Sequence, residues 1–237
     1  MKRILLMVFR NIILVPFMWC ELCYYASHAD KIPEEKRYKF LQYIVARANK
    51  GGNVTIEPHG QENIPKEGGF MLFPNHQGLY DVLAIVDVCP RPLSAVIKKE
   101  AAGVPFLKQC VAIMKAFSID REDIRQSMQV ISNVTKEVQS GRNYIIFAEG
   151  TRSKMGNKLL DFKGGSFKAA TKAKCPIVPV ALIDSFKPFD TSSIEPVTVQ
   201  VHFLKPMLYD EYKDMKTVEI AAEVKHRIEE TIEKYEK

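Results

Sequence analysis

The sequence predicts an α/β fold, a mixed, largely parallel sheet covered by helices, preceded by a pair of helices suited to a membrane interface. Three observations carry this expectation. Short apolar runs of strand character recur from Val54 to Val201, and helical segments separate most of them. Two polar knots, Asn75-His76-Gln77-Gly78-Leu79-Tyr80-Asp81 and Phe147-Ala148-Glu149-Gly150-Thr151-Arg152-Ser153, each follow such a run, where α/β sheets carry their sites. The stretch from Ile4 to Tyr25 is nearly all apolar.

Taking the elements in order, Arg10, Asn11 and Glu21 interrupt the first stretch and Pro16 sits in its middle, a poor design for crossing about 30 Å of hydrocarbon. At about 100° per residue, Arg3, Arg10 and Glu21 fall within about 20° of one another, a narrow polar stripe on a greasy helix that would lie in the interface. Its basic start resembles a signal peptide, but no small-residue cleavage site follows. A second helix is predicted from Pro33 to Ala48, with Phe40, Leu41, Ile44 and Val45 at helical spacing and Gly51-Gly52 as its stop. Residues 1–52 are thus expected to form a membrane-associating helical pair and 53–237 the α/β domain.

Strands are predicted at Val54–Ile56, Phe70–Phe73, Leu93–Ile97, Tyr144–Phe147, Ile177–Leu182 and Val197–Val201. Asp123 to Val138 carries Ile124, Met128, Ile131 and Val134 at helical spacing, and Tyr212 to Tyr235 closes the chain as a charged amphipathic helix.

With 237 residues, 46% of them hydrophobic, the chain can bury one good-sized core. The net charge of +6 favours anionic partners. Lysine and arginine are dispersed, however, and no aromatic-basic recognition motif speaks for nucleic acid. Five cysteines, mostly inside apolar runs, argue against a secreted disulfide framework, and Cys20-x-x-Cys23 lacks the second pair that a zinc site needs.

A histidine can take a proton from an alcohol as it attacks an acyl carbonyl, and a carboxylate can fix the imidazole tautomer. His76 and Asp81 are candidates for these roles. Five residues is not one-face spacing on a regular helix, so they converge only if the chain turns at Gln77-Gly78 or a helix starts between them. No G-x-S-x-G elbow is present, which favours direct attack over a covalent intermediate. Arg152 can grip a phosphate with its planar fork, and Arg121 and Lys98 are further candidates for anion binding.

These residues bring out a resemblance. From about Gly60 to Pro206 the chain resembles the 1-acyl-glycerol-3-phosphate acyltransferase family of the glycerophospholipid acyltransferases. It carries in order Asn-His-x-x-x-x-Asp at Asn75 to Asp81, an Ile-Asp-Arg block ending at Arg121, Glu-Gly-Thr-Arg-Ser at Glu149 to Ser153, and Val-Pro-Val-Ala-Leu at Val178 to Leu182. The resemblance implies a glycerol-3-phosphate acyltransferase-like fold, His76 as base and Asp81 as its orienter. It also implies that Glu149, Gly150, Thr151 and Arg152 hold the glycerol phosphate with Arg121, and that Lys98, with Lys99 beside it, lies near the phosphate. Pro179 would shape a strand end near the acyl site. Ala148 departs from the family's usual proline.

The implied reaction is transfer of an acyl group from acyl-coenzyme A or acyl carrier protein, as cosubstrate, to the sn-2 hydroxyl of lysophosphatidic acid, at the cytoplasmic face of a membrane. No metal or cofactor is implied. The alternatives are another lysophospholipid or glycerol phosphate as acceptor, or a membrane lipid-binding protein without catalysis.

Overall fold

The computed structural model describes residues 2–120 and 122–236. Its strands are β1 (Val54–His59), β2 (Met71–Pro74), β3 (Ser94–Lys98), β4 (Phe117–Ile119), β5 (Tyr144–Ile145), β6 (Ile177–Ile183) and β7 (Val197–Phe203), joined in one sheet in the order β1-β7-β6-β2-β5-β3-β4. Every neighbouring pair is parallel except β6 with β7, so the sheet is mixed and largely parallel. The central strands β2 and β6 are buried along their whole length, as apolar runs covered on both faces must be. Because β2, β3, β4, β5 and β6 run the same way, their C-terminal ends open on one edge of the sheet.

Ten α-helices lie among the described residues: α1 (Lys2–Arg10), α2 (Val15–Ser27), α3 (Glu34–Gly52), α4 (Asp81–Val88), α5 (Leu107–Met114), α6 (Ile124–Gln139), α7 (Lys168–Ala173), α8 (Lys187–Asp190), α9 (Tyr209–Tyr212) and α10 (Thr217–Tyr235). Side chains alternate across the sheet as the pleat requires. Leu72, Val178 and Val180 join a core with α1 to α5, whereas Met71, Phe73 and Ile177 join one with α6, α7 and α10.

Several sequence expectations change. The first apolar stretch is two helices, not one, because the chain bends by 97° between α1 and α2. Asn11 causes the break: its Nδ2 donates to Met7 O at 2.8 Å and Arg47 O at 3.2 Å, and Pro16 then begins α2 where no N–H is needed. The single polar stripe is therefore absent. Arg3 is buried, with Nη1 donating to Gly52 O and Nη2 to Ser193 O and Glu195 O, while Glu21 belongs to α2.

Nor does Gly51-Gly52 stop α3, which runs on to a left-handed Asn53. The glycines let α1 cross closely: a Cβ on Gly51 would stand 2.5 Å from Asn11 Nδ2 and 3.2 Å from Met7 O. The Tyr212–Tyr235 helix is divided into α9 and α10.

Pro179 stands inside the central strand β6 and not at a strand end. Between the Ile177–Met207 bridge and the Val180–Phe203 pair, two residues of β6 face three of the other chain segment, a bulge that tolerates its missing N–H. Strand β4 and helices α4, α5, α7 and α8 lie outside the sequence expectation; at eight residues or fewer, each is shorter than the window in which a periodic pattern stands out.

Candidate active site

The chain leaves β2 at Pro74 and is held at once by Asn75. Its Nδ2 donates to Leu182 O at 3.0 Å and its Oδ1 accepts from Leu182 N at 2.7 Å, so a side chain continues the ladder to β6 where the backbone turns away. His76 comes next. The convergence comes from a bend at Gly78 and a turn at Leu79 and Tyr80 that leads into α4 at Asp81, one residue or so past the turn expected at Gln77-Gly78.

Asp81 Oδ2 lies 2.7 Å from His76 Nδ1 and accepts from the backbone N–H groups of Gln77 at 2.7 Å and Gly78 at 3.0 Å. The carboxylate is fully buried at the start of a helix, where the peptide dipoles favour negative charge. A ring proton on Nδ1 would donate to that carboxylate and leave Nε2 with its lone pair. The imidazole stacks on Phe147 at 4.0 Å between centroids and stays 21% exposed, enough to meet a ligand.

Glu149 is buried, and its carboxylate turns inward. Oε1 accepts from His76 N at 2.6 Å and Oε2 from Leu160 N at 2.9 Å, while Ser153 N donates to His76 O at 2.8 Å. Burial pushes the Glu149 carboxyl above its ordinary range, against the opposing pull of those two N–H donors. Both oxygens are committed to backbone, so this side chain ties the two polar knots together. Gly150 follows with a φ of 76°, a left-handed turn that glycine adopts without cost.

The same turn carries Thr151, exposed, and Arg152, whose Nη1 lies a loose 3.9 Å from Asp190 Oδ1, leaving the guanidinium at the surface. Lys98 ends β3, the strand beside β5, and is exposed and paired with Glu100 at 2.9 Å; Lys99 pairs with Asp120 at 3.3 Å. Arg121 lies outside the described residues. The structure thus brings His76, Asp81, Glu149, Gly150, Thr151 and Arg152 into one cluster, with Lys98 two strands from β2 on the same edge.

Sequence reasoning missed Ser185, Phe147 and Asn157 as parts of this site. Ser185 is fully buried just past β6, with Oγ 2.6 Å from Asp81 Oδ1. Asn157 Oδ1 accepts from Gln77 Nε2 and from Asp184 N, each at 2.8 Å. Phe147 opens the second polar knot, but nothing in the sequence pairs its ring with His76. A hollow of about 420 Å³ between α7, α9 and the start of α10 is lined by Thr171, Tyr209 and Lys213, none of them part of this cluster.

A family model described as Acyltransferase matches residues 55–183. The chain is 32% identical over 138 residues to a 1-acyl-sn-glycerol-3-phosphate acyltransferase of Helicobacter pylori, covering 56% of this chain and 58% of that protein. It is 30% identical over 171 residues to the enzyme of that name from Salmonella typhimurium, covering 72% and 69%. In fold it matches the crystal structure of the 1-acyl-sn-glycerophosphate acyltransferase from Thermotoga maritima, with a TM-score of 0.78 at 19% identity over 99% of this chain and 97% of that one. The family match takes in both polar knots and β6 as well, and the chain belongs to the acyltransferase family.

Proposed function

We propose that the protein transfers a fatty acyl group from a thioester, acyl-coenzyme A or acyl carrier protein, to the sn-2 hydroxyl of 1-acyl-glycerol-3-phosphate, forming phosphatidic acid and a free thiol. The observation that carries this reading is the part-exposed His76 ring with Nδ1 2.7 Å from a buried Asp81, one loop away from Arg152. Nε2 takes the hydroxyl proton as the oxygen attacks the thioester carbonyl, and the Asp81 carboxylate stabilises the imidazolium that forms. Collapse of the tetrahedral intermediate expels the thiolate, which receives that proton from His76. Arg152, with Thr151 and the backbone of Gly150, holds the phosphate, and Lys98 adds positive charge at the same edge; Arg121, outside the described residues, is a further phosphate ligand in this reading. Glu149 contributes by shaping the loop.

The first helices supply the membrane contact in this reading. Among the described residues no single helix is long and apolar enough to cross a membrane. α1 and α2 turn Met7, Leu22 and Tyr25 inward, yet leave Phe9 and Phe17 each 71% exposed, with Ile13 in the turn between them 78% exposed. α1 also packs against α8, which carries Asp190 beside Arg152, so this greasy surface adjoins the edge where the site opens. A helix pair lying in the interface on the cytoplasmic face would bring a lipid acceptor to His76 without extracting it. The division at residue 52 into this helical pair and the α/β domain belongs to the same proposal.

The test is acyl transfer with a panel of lysophospholipids and glycerol phosphate, offered with each thioester in detergent micelles. Preference for lysophosphatidic acid, with Arg152→Ala raising KM for that acceptor, supports the assignment. Equal use of acceptors lacking a terminal phosphate contradicts it.

A further inference from the structure

We propose that Ser185 is a positioning residue for the reaction, holding the Asp81 carboxylate in the orientation that serves His76. This inference rests on the acyl-transfer reading above. The two oxygens of Asp81 are unequally supplied. Oδ2 has His76 Nδ1, Gln77 N and a share of Gly78 N, whereas Oδ1 has Ser185 Oγ at 2.6 Å and the other share of that same Gly78 N–H at 3.1 Å. Ser185 is thus the only full donor to Oδ1 among the described residues.

A serine has one proton to give, and the competing acceptor, Gln77 Oε1, is farther away at 3.0 Å and uncharged. The carboxylate takes the proton. Gln77 is itself fixed, its Nε2 donating to Leu182 O and Asn157 Oδ1, each at 2.8 Å, so it walls Ser185 against Asp81. Without the hydroxyl, Oδ1 would keep half a hydrogen bond in a dry interior. The carboxylate would then rotate about Cβ–Cγ to share the Gln77 and Gly78 N–H groups between its oxygens, drawing Oδ2 away from His76 Nδ1. Ser185 comes from the end of β6 and Asp81 from the start of α4, so the contact sets the position of the base against the sheet.

The experiment uses the full chain. In unliganded protein, the downfield Nδ1–H proton resonance of His76, assigned by its loss in His76→Ala, reports the contact with Asp81 without any substrate. Ser185→Ala is expected to move that resonance upfield and to lower kcat about tenfold, the rate equivalent of one hydrogen bond to a charged group, with KM for donor and acceptor unchanged. Ser185→Thr, which keeps the hydroxyl, is expected to restore both. Where Ser185→Ala fails to fold, Ser185→Thr and Ser185→Val form the pair, differing in hydroxyl against methyl. An unmoved resonance, or a kcat equal to wild type in the variant lacking the hydroxyl, overturns the proposal. A moved resonance in a protein that acylates no acceptor supports the role of Ser185 and counts against the acyl-transfer reading instead.

Discussion

Glu149 Oε1 accepts the backbone N–H of His76 at 2.6 Å, so the loop after β5 grips the main chain of the residue whose side chain Asp81 holds. The two polar knots are one structure, joined by a carboxylate with both oxygens on N–H donors. Glu149→Gln is expected to put an NH₂ group against one of those donors. The unsatisfied pair should cost about 1–3 kcal/mol in urea unfolding and lower kcat, although the side chain keeps its shape. Wild-type stability in this variant would show that the carboxylate is not needed there.

Asp81→Asn meets the same difficulty at the other end of the imidazole. An amide cannot accept from His76 Nδ1–H, Gln77 N, Gly78 N and Ser185 Oγ together. With the tautomer no longer fixed, kcat is expected to fall by about 10³-fold or more. Steady-state kinetics at saturating donor and acceptor measure the drop, with circular dichroism establishing that the variant is folded.

The stack of His202 on His59, 4.2 Å between centroids, makes a pH-dependent contribution to stability. Burial, aided by the neighbouring His59, lowers the His202 pKa from 6.5 to about 4. Between those values the unfolded chain binds a proton that the folded chain does not, so stability is full above about pH 6.5 and falls as the pH drops towards about 4. The loss should be on the order of 3 kcal/mol. His202→Phe keeps the ring and removes the titration, and thermal melts between pH 7.5 and 4.5 should then show a smaller acid-side decline than wild type.

Membrane docking is expected to depend on the outward faces of α1 and α2. Phe9→Ser with Phe17→Ser removes two exposed rings without touching the buried Met7 or Leu22 contacts. Sedimentation with phospholipid vesicles should fall several-fold, while the melting temperature stays near wild type. Unchanged sedimentation would remove these helices as the anchor.

Much of this was legible in the chain because it is local. His76 and Asp81 sit five residues apart in a loop bounded by an apolar run, and the helical spacing of Ile124, Met128, Ile131 and Val134 falls within α6. Ser185 was not legible. It reaches Asp81 from 104 residues away, and one serine after a strand has no pattern to mark it. The bend between α1 and α2 was hidden for a similar reason: Asn11 breaks the helix with help from Arg47 O on a different helix, whereas Pro16, the obvious breaker in the sequence, only starts the next turn. Gly51 and Gly52 misled because glycine ends helices and also lets them cross, and only the position of α1 distinguishes the two.

A base at His76 makes acyl transfer to lysophosphatidic acid depend on its imidazole, and product formation by purified wild-type protein beside His76→Ala measures that dependence. Phosphatidic acid from the wild type and none above background from a folded His76→Ala variant is the predicted result. Phosphatidic acid formed at a comparable rate by His76→Ala would contradict it.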